Sequence, residues 1–565
     1  MTETHTVTVL GTTDLHGRVL DWDYHHDGPY RDDWGNVTGL ARVASVVRRV
    51  RAESRSPILI DNGDFLQGTP LVSHAADGLL TGRTHPMAVA MNALGFDAAV
   101  TGNHEFDYGL DVLRAFESDA EFPLLGGNVI DRATGDTAFV PYLVREVDVP
   151  GGRPVRVAII GLAHPGTGVW NRMQVGETLR FDGLVGAARR WVHHAREHGA
   201  DVVVVAAHCG ATEGETGARH VYEGVDRVAE RVPGVDAILA GHTHREVECQ
   251  RFVNGTTGEQ TIVTMPMCWG MRVAAIDITV ARAGDGYRVV ERNARLIDTS
   301  EADEDPEIVR LAEHDHRAVV DAGRTHVGTS SAAFGWCGAP WRPVPIVSLV
   351  QNAQAAAVAD SVGALPVVSV AAVPHYTAAI PRGDVPRRAV ETIASFESRT
   401  VAVVLSGADL REHLETAARY FTTPVSGGPV SARHIVNAPS PLHPTGTPDF
   451  AYDSMLGYSG PLRYEIDLAR PGGDRIRSLT YDGAPVTDEM EFAAAMSSYR
   501  RTGADGYTCA ADAPLLYECE LDARTMLLDW IGSNSPLTPE SFHYDSWRLT
   551  YDGVALEIVE GEVHP

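Results

Sequence analysis

Five short segments of the 565-residue chain carry side chains of the kind that hold metal ions. They are Thr13-Asp14-Leu15-His16, Asn62-Gly63-Asp64, Gly102-Asn103-His104-Glu105-Phe106-Asp107, Ala207-His208-Cys209-Gly210 and Gly241-His242-Thr243-His244. The donors are nitrogen and oxygen, a set that suits Zn, Mn, Fe or Co without choosing among them. Two such cations, roughly 3.5–4 Å apart around a shared oxygen, make a nucleophile of water at neutral pH. Asp14/His16 and His242/His244 are i, i+2 pairs. In extended chain such side chains point the same way, about 6.5–7 Å apart. Asp64, on its own glycine-opened turn, is the natural bridge. The reading assigns Asp14, His16, Asp64 and His244 to one ion, and Asp64, Asn103, His208 and His242 to the other.

His104 follows Asn103 and is expected to point away from the ions, toward substrate. Asp107 lies three residues on, within reach if Asn103 opens a helical turn. A carboxylate there orients the imidazole and favours its charged form. His104 then stabilises the transition state or protonates the leaving alkoxide.

Each residue also has a plainer reading. A lone histidine ending a strand, such as His208, is more often a hydrogen-bonded core residue, and Asp14 or Asp64 alone reads as a turn residue. Glu105 is read as structural, Cys209 as a small buried hydrophobe, and His25, His26, His193 and His194 as surface residues. The joint pattern favours metal binding, because the ligand types all fall just past predicted strands.

Those strands are apolar, β-branched runs at 6–10, 57–60, 98–101, 155–160, 201–207 and 235–240, alternating with amphipathic stretches at 38–53, 86–94 and 183–198. The alternation predicts a layered α/β domain. Ligands of such sheets gather beyond the carboxyl ends of the strands, so the five clusters are expected on one edge. After residue 298 the pattern changes. An acidic stretch, 299–305, leads through Pro306 into an amphipathic helix over 307–322. The expected organisation is a dimetal domain, 1–298, a linker helix within 299–323, and a C-terminal α+β domain, 324–565. That domain is read with segments 344–359, 399–405 leading into a helix over 407–420, and 462–468 with 476–481. A Pro/Gly/Ser-rich loop over 422–448 interrupts it.

Apolar residues make up 44% of the chain and charged residues 22%, which excludes wholesale disorder, collagen-like and coiled-coil architecture. The net charge is −28, from 47 basic residues, all arginine, against 75 acidic ones. Such acidity argues against nucleic-acid polymers and anionic membranes as partners. Bound cations would invert the field locally for an anionic substrate. No run reaches about 18 apolar residues, so no membrane span is expected. Six scattered cysteines without a CxxC do not form a disulfide framework. With no basic and apolar leader pattern in the opening residues, a cytoplasmic protein is expected, and a processed secreted form is the alternative. No obligate protein partner is evident.

The order of these motifs resembles the calcineurin-like metallophosphoesterases. The string over 102–108 and the second half of the chain narrow the resemblance to the 5′-nucleotidase family. Thr12-Thr13-Asp14-Leu15-His16, Asp23-Tyr24, Asn62-Gly63-Asp64-Phe65-Leu66-Gln67-Gly68 and Gly241-His242-Thr243-His244 resemble its bifunctional 2′,3′-cyclic-nucleotide 2′-phosphodiesterase/3′-nucleotidases. Val350-Gln351-Asn352-Ala353-Gln354 and Gly473-Asp474-Arg475-Ile476 support the same branch. The resemblance implies a four-layer αββα domain holding two divalent ions, joined by a helix to a nucleotide-binding α+β domain. It implies that Phe396 and Tyr499 sandwich the base and that Asp505 contacts the nucleoside. Stacking of this kind is worth roughly 1–3 kcal/mol per base with little base selectivity.

The stretch 371–382 lacks the Gly-rich Asn/Arg motif of the 5′-nucleotidase branch, which favours the cyclic and 3′ substrates. The rival readings are a 5′-nucleotidase or nucleotide-sugar hydrolase on the same fold and, from another class, a non-catalytic nucleotide sensor. A thiosulfate-processing relative ranks below both.

Overall fold

The computed structural model describes residues 3–32, 34–53, 57–80, 82–212, 224–372, 378–394, 398–424, 427–435 and 452–559. They fall into two units that part between Val320 and Asp321.

The N-terminal unit is built on two six-stranded sheets. In the first, Thr4–Thr12, Ile58–Asp61, Ala98–Val100 and Leu124–Leu125 run parallel, with Arg272–Ala283 and Gly286–Asp298 added antiparallel on the other side. In the second, Val155–Leu162, Val202–Ala207, Ala237–Leu239 and Gln260–Pro266 run parallel between the antiparallel edges Tyr142–Val147 and Glu246–Val253. Side chains alternate across a strand, and each sheet buries both faces. Val9, Ile58 and Ile60 share one core with Val157, Val202 and Val204 of the other sheet. Leu10 and Leu59 turn the other way, onto helices Leu40–Glu53 and Pro86–Leu94. Ile160, Val203 and Val205 pack on helices Leu184–Glu197 and Val225–Arg231. The layers are therefore helix, sheet, sheet, helix, and the unbroken valine run at 202–205 is that of a strand covered on both sides.

The helix expected as a linker, Pro306–Gly323, buries Ile308, Ala312 and Val319 in the N-terminal core. Most of it is thus part of the first unit. Its amphipathic pattern is a docking face, and pattern alone does not say against what it docks.

The C-terminal unit has two five-stranded sheets. One orders Ser454–Gly457, Val367–Ala371, Glu491–Ser497, Arg399–Ser406 and Leu515–Asp522. The other is centred on Leu462–Asp467, between Ile476–Tyr481 and Trp547–Tyr551. Helix Gly407–Ala418 starts at a capping box of Ser406 and Asp409 and buries Leu410 and Leu414 in the core of this unit.

Candidate metal centre

The first sheet ends three strands at Thr12, Asp61 and Val100, and the second ends two at Ala207 and Leu239. The five clusters therefore meet at a common edge of two sheets, not along the edge of one. Asn62 joins the sheets by donating its side-chain amide to the carbonyls of Ala207 at 3.0 Å and Leu239 at 3.2 Å. Backbone bonds stitch the loops together, with Asp14 N–H donating to Gly63 O and His16 N–H to Asp64 O, each at 2.8 Å. His242 N–H donates to Asp14 Oδ2 at 3.0 Å.

The i, i+2 pairs Asp14/His16 and His242/His244 are not in extended chain. Asp14, His16, Asp64, His242 and His244 have φ of 51°, 46°, 59°, 71° and 53°. All lie in the left-handed region, which costs a non-glycine residue roughly 1–2 kcal/mol. Strain of this kind persists where surrounding structure over-determines the backbone, typically at functional sites. Two glycines allow the approach. A Cβ at Gly102 would lie 2.2 Å from Asp64 Oδ1, and one at Gly241 would lie 2.2 Å from Thr13 Oγ1.

Asp14, His16 and His244 form one cluster and Asp64, His208 and His242 another, each with ligand atoms within 4.8 Å of one another. His16 Nε2 faces His244 Nε2 at 3.0 Å, and His244 Nε2 lies 3.3 Å from Asp14 Oδ1. His208 Nε2 lies 2.9 Å from Asp64 Oδ2 and 3.8 Å from Asp14 Oδ1, so the clusters adjoin. The far nitrogens of two rings are occupied. His16 Nδ1 meets Gln67 O at 2.9 Å, and His208 Nδ1 meets Asn62 O at 2.7 Å. Donation of Nδ1–H to a carbonyl fixes the tautomer that offers Nε2 to a cation. Asn103 Oδ1 is buried without a hydrogen-bond partner. An oxygen left in that state, beside imidazoles and carboxylates, fits divalent cations.

The electrostatics agree. Burial opposes the charge of Asp14, but the His208 and His244 rings outweigh it and hold the carboxyl at about 2. Asp64 is likewise held low, burial being outweighed by His208 and His104. His208 is pushed up to about 10, against burial, by Asp64 and Asp14. His244 is also raised, against burial, by Cys268 and Asp14. Burial drops His16 and His242 to about 3, reinforced by the neighbouring His244 and His208 respectively. Each cluster thus has one ionised carboxylate, one proton-holding imidazole and one neutral imidazole. Cations bind deprotonated ligands and would take the place of those protons.

His104 hangs from this centre by its backbone N–H, which donates to Asp64 Oδ1 at 2.8 Å. Its Nδ1 meets Asp107 Oδ2 at 2.7 Å across one turn of 3₁₀-helix, His104–Phe106. Burial opposes the charge of the ring, and Asp107 and Asp64 outweigh it, so the imidazole titrates at about 9.

Several residues at the centre were not singled out as site residues from sequence. Glu105, read as structural, is 1% exposed and accepts the N–H groups of Asp64, Phe65, Leu66 and Gly102. It clamps the Asp64 turn to the loop of Asn103. His164 is buried and lies 4.6 Å from the rings of both Trp170 and His242. Asn171 donates to Asp107. His164 stands just past the strand Val155–Leu162, so the signal that marks Asp14 past Thr12 was available for it, whereas Asn171 lies beyond a further helical turn, Thr167–Trp170, that no spacing rule anticipates.

In the C-terminal unit Tyr499 is 40% exposed, on the short helix Ser498–Arg501. Its neighbour Arg500 is the anchor. Arg500 pairs with buried Asp453 at 2.7 Å and lies 4.0 Å over the Tyr507 ring. Phe396 lies outside the described residues. Asp505 falls in the turn Ala504–Gly506, and its side chain is outside the description.

Residues 7–246 match the model of the calcineurin-like phosphoesterases, and residues 325–512 match that of the 5′-nucleotidase C-terminal domain. The chain is a metallophosphoesterase of the 5′-nucleotidase family. This fold implies divalent metal ions. The metallophosphoesterase is 29% identical to a 2′,3′-cyclic-nucleotide 2′-phosphodiesterase/3′-nucleotidase of Salmonella typhimurium, over 97% of this chain and 90% of that protein. A protein of the same description from Yersinia enterocolitica is 27% identical, over 96% and 87%. In fold, the metallophosphoesterase is similar to a 5′-nucleotidase precursor from Thermus thermophilus, with a TM-score of 0.66, 21% identity, and 97% and 99% of the two chains covered.

Proposed function

We propose that this metallophosphoesterase hydrolyses nucleoside 2′,3′-cyclic phosphates to 3′-nucleotides, and these to nucleoside and phosphate. The observation that carries the reading is the adjacency of two ligand clusters to an imidazole–carboxylate pair, with His104 N–H bonded to Asp64 itself. The substrate class is supported by the descriptions of the Salmonella and Yersinia relatives, which match nearly end to end.

In this proposal Asp14, His16, Asp64 and His244 hold one divalent ion, and Asp64, Asn103, His208 and His242 a second. Mn, Zn, Co and Fe all suit the donors. When bound, such ions supply Lewis acidity that neutralises the phosphate and acidifies a water. Asp64 and Glu105 keep the loops in register. His104, held by Asp107, gives its Nε2 proton to the departing ribose oxygen. Phe396, Tyr499 and Asp505 hold the nucleoside. No helix among the described residues is long and apolar enough to cross a membrane. No cysteine among the described residues is in a disulfide, and the proposed cytoplasmic location is tested by cell fractionation.

Purified protein reconstituted with Mn or Co is assayed on 2′,3′-cAMP, 3′-AMP, 5′-AMP and bis(p-nitrophenyl) phosphate. Turnover of the first two is expected. Turnover of 5′-AMP alone assigns the protein to the 5′-nucleotidase branch instead, and tight nucleotide binding without turnover makes it a sensor.

A further inference from the structure

Asp107 offers two carboxylate oxygens, and both are taken. Oδ2 meets His104 Nδ1 at 2.7 Å, and Oδ1 accepts from Asn171 Nδ2–H, also at 2.7 Å. Asn171 is 4% exposed and belongs to a different part of the chain, just past the helical turn Thr167–Trp170. A carboxylate held through one oxygen can swing about its Cβ–Cγ bond. Held through both, its plane is set, and so is the plane of the imidazole it orients. The preceding residue, Trp170, is stacked on His242 with ring centres 5.3 Å apart and planes 15° apart. One short segment is thus registered against a candidate ligand on one side and against the His104–Asp107 pair on the other.

We propose that Asn171 is a positioning residue for proton transfer by His104, acting through Asp107 without touching substrate. The inference rests on the hydrolysis proposed above. In that step a water oxygen forms its bond to phosphorus while the bond from phosphorus to the leaving oxygen breaks, the electron pair of the broken bond staying on the leaving oxygen. The His104 Nε2 proton moves to it and leaves a neutral ring. A ribose alkoxide needs this proton, whereas p-nitrophenolate departs without it. Misplacement of a catalytic group by about 1 Å costs up to ~10²-fold in rate.

The test compares Asn171→Ala with wild type and His104→Asn on 3′-AMP and p-nitrophenyl phosphate. Expected for Asn171→Ala is a kcat lowered by about 10–10²-fold on 3′-AMP with KM little changed, and a much smaller loss on p-nitrophenyl phosphate. A second readout is independent of turnover. In metal-free protein with ¹⁵N-labelled histidine, the ring resonances of His104 should move in Asn171→Ala, while those of buried His413 in the other unit stay put. Equal losses on both substrates by Asn171→Ala, where His104→Asn discriminates between them, overturn the inference alone. So do unmoved His104 resonances. If wild-type protein turns over neither substrate, the proposed function fails, and the resonances still decide whether Asn171 positions His104.

Discussion

The backbone N–H of His104 donates to Oδ1 of Asp64 at 2.8 Å, so the expected acid is suspended from the expected bridging carboxylate. The other oxygen, Oδ2, lies 2.9 Å from His208 Nε2. One aspartate thereby sets the distance between the metal centre and the proton donor. Changes to either residue are separable, because one removes a side chain and the other a shared support.

His104→Asn removes the proton donor and leaves the N–H to Asp64 in place. Turnover of 3′-AMP should fall by about 10²–10⁴-fold, the usual range for a general acid. Metal content by elemental analysis should be unchanged. Retained activity would remove His104 from the mechanism.

Asp64→Asn keeps the shape but withdraws the negative charge expected to serve both ions. Bound metal should drop below the wild-type stoichiometry, with activity lost in parallel. Full metal occupancy in the variant would show that Asp64 is not a shared ligand.

Gly102→Ala places a methyl 2.2 Å from Asp64 Oδ1. Relief requires moving the carboxylate or the loop, at about 1–3 kcal/mol for overpacking of this kind. The variant should fold, judged by circular dichroism, and bind metal more weakly. Unaltered affinity would mean that the loop yields without disturbing Asp64.

Tyr499→Ala deletes an exposed ring proposed to stack on the base. Loss of roughly 1–3 kcal/mol of stacking should raise KM for 3′-AMP while leaving p-nitrophenyl phosphate, which has no base, unaffected. A parallel rise for both substrates argues against stacking.

Asp453 gives the C-terminal unit a defined pH dependence. Burial works against its charge, but Arg500 and His413 outweigh it and hold the carboxyl below the usual 3.8. A depressed folded value means that the pair stabilises the fold above the unfolded value and that this is lost as pH falls through the folded one. Asp453→Asn leaves Arg500 buried and uncompensated, at a cost of about 3–5 kcal/mol. Denaturant unfolding at pH 7 should show that gap, and the two proteins should converge only as pH falls below 3.8 and through the depressed folded value of Asp453. A gap that persists in acid would locate the effect in packing.

Much of the architecture could be read from periodicity. The run at 202–205 reads as a doubly buried strand and is one. The ligand types past 12, 61, 100, 207 and 239 stand out because strands end there. Local sequence carries this information because alternation and strand ends are local properties. The helix Pro306–Gly323 shows the limit, since its apolar stripe says only that it docks.

What the chain order alone determined is which residue types stand at the ends of which strands, and hence a centre of nitrogen and oxygen ligands. Only the tertiary structure decided how they meet. The clusters come from two sheets tied together by Asn62, and the backbone at Asp14, His16, Asp64, His242 and His244 turns left-handed instead of staying extended. Glu105, His164 and Asn171 act across distances in sequence that spacing cannot register. The physical reason is that left-handed backbone in non-glycine residues is unfavourable in isolation. It exists here because long-range hydrogen bonds, absent from any local window of sequence, hold it.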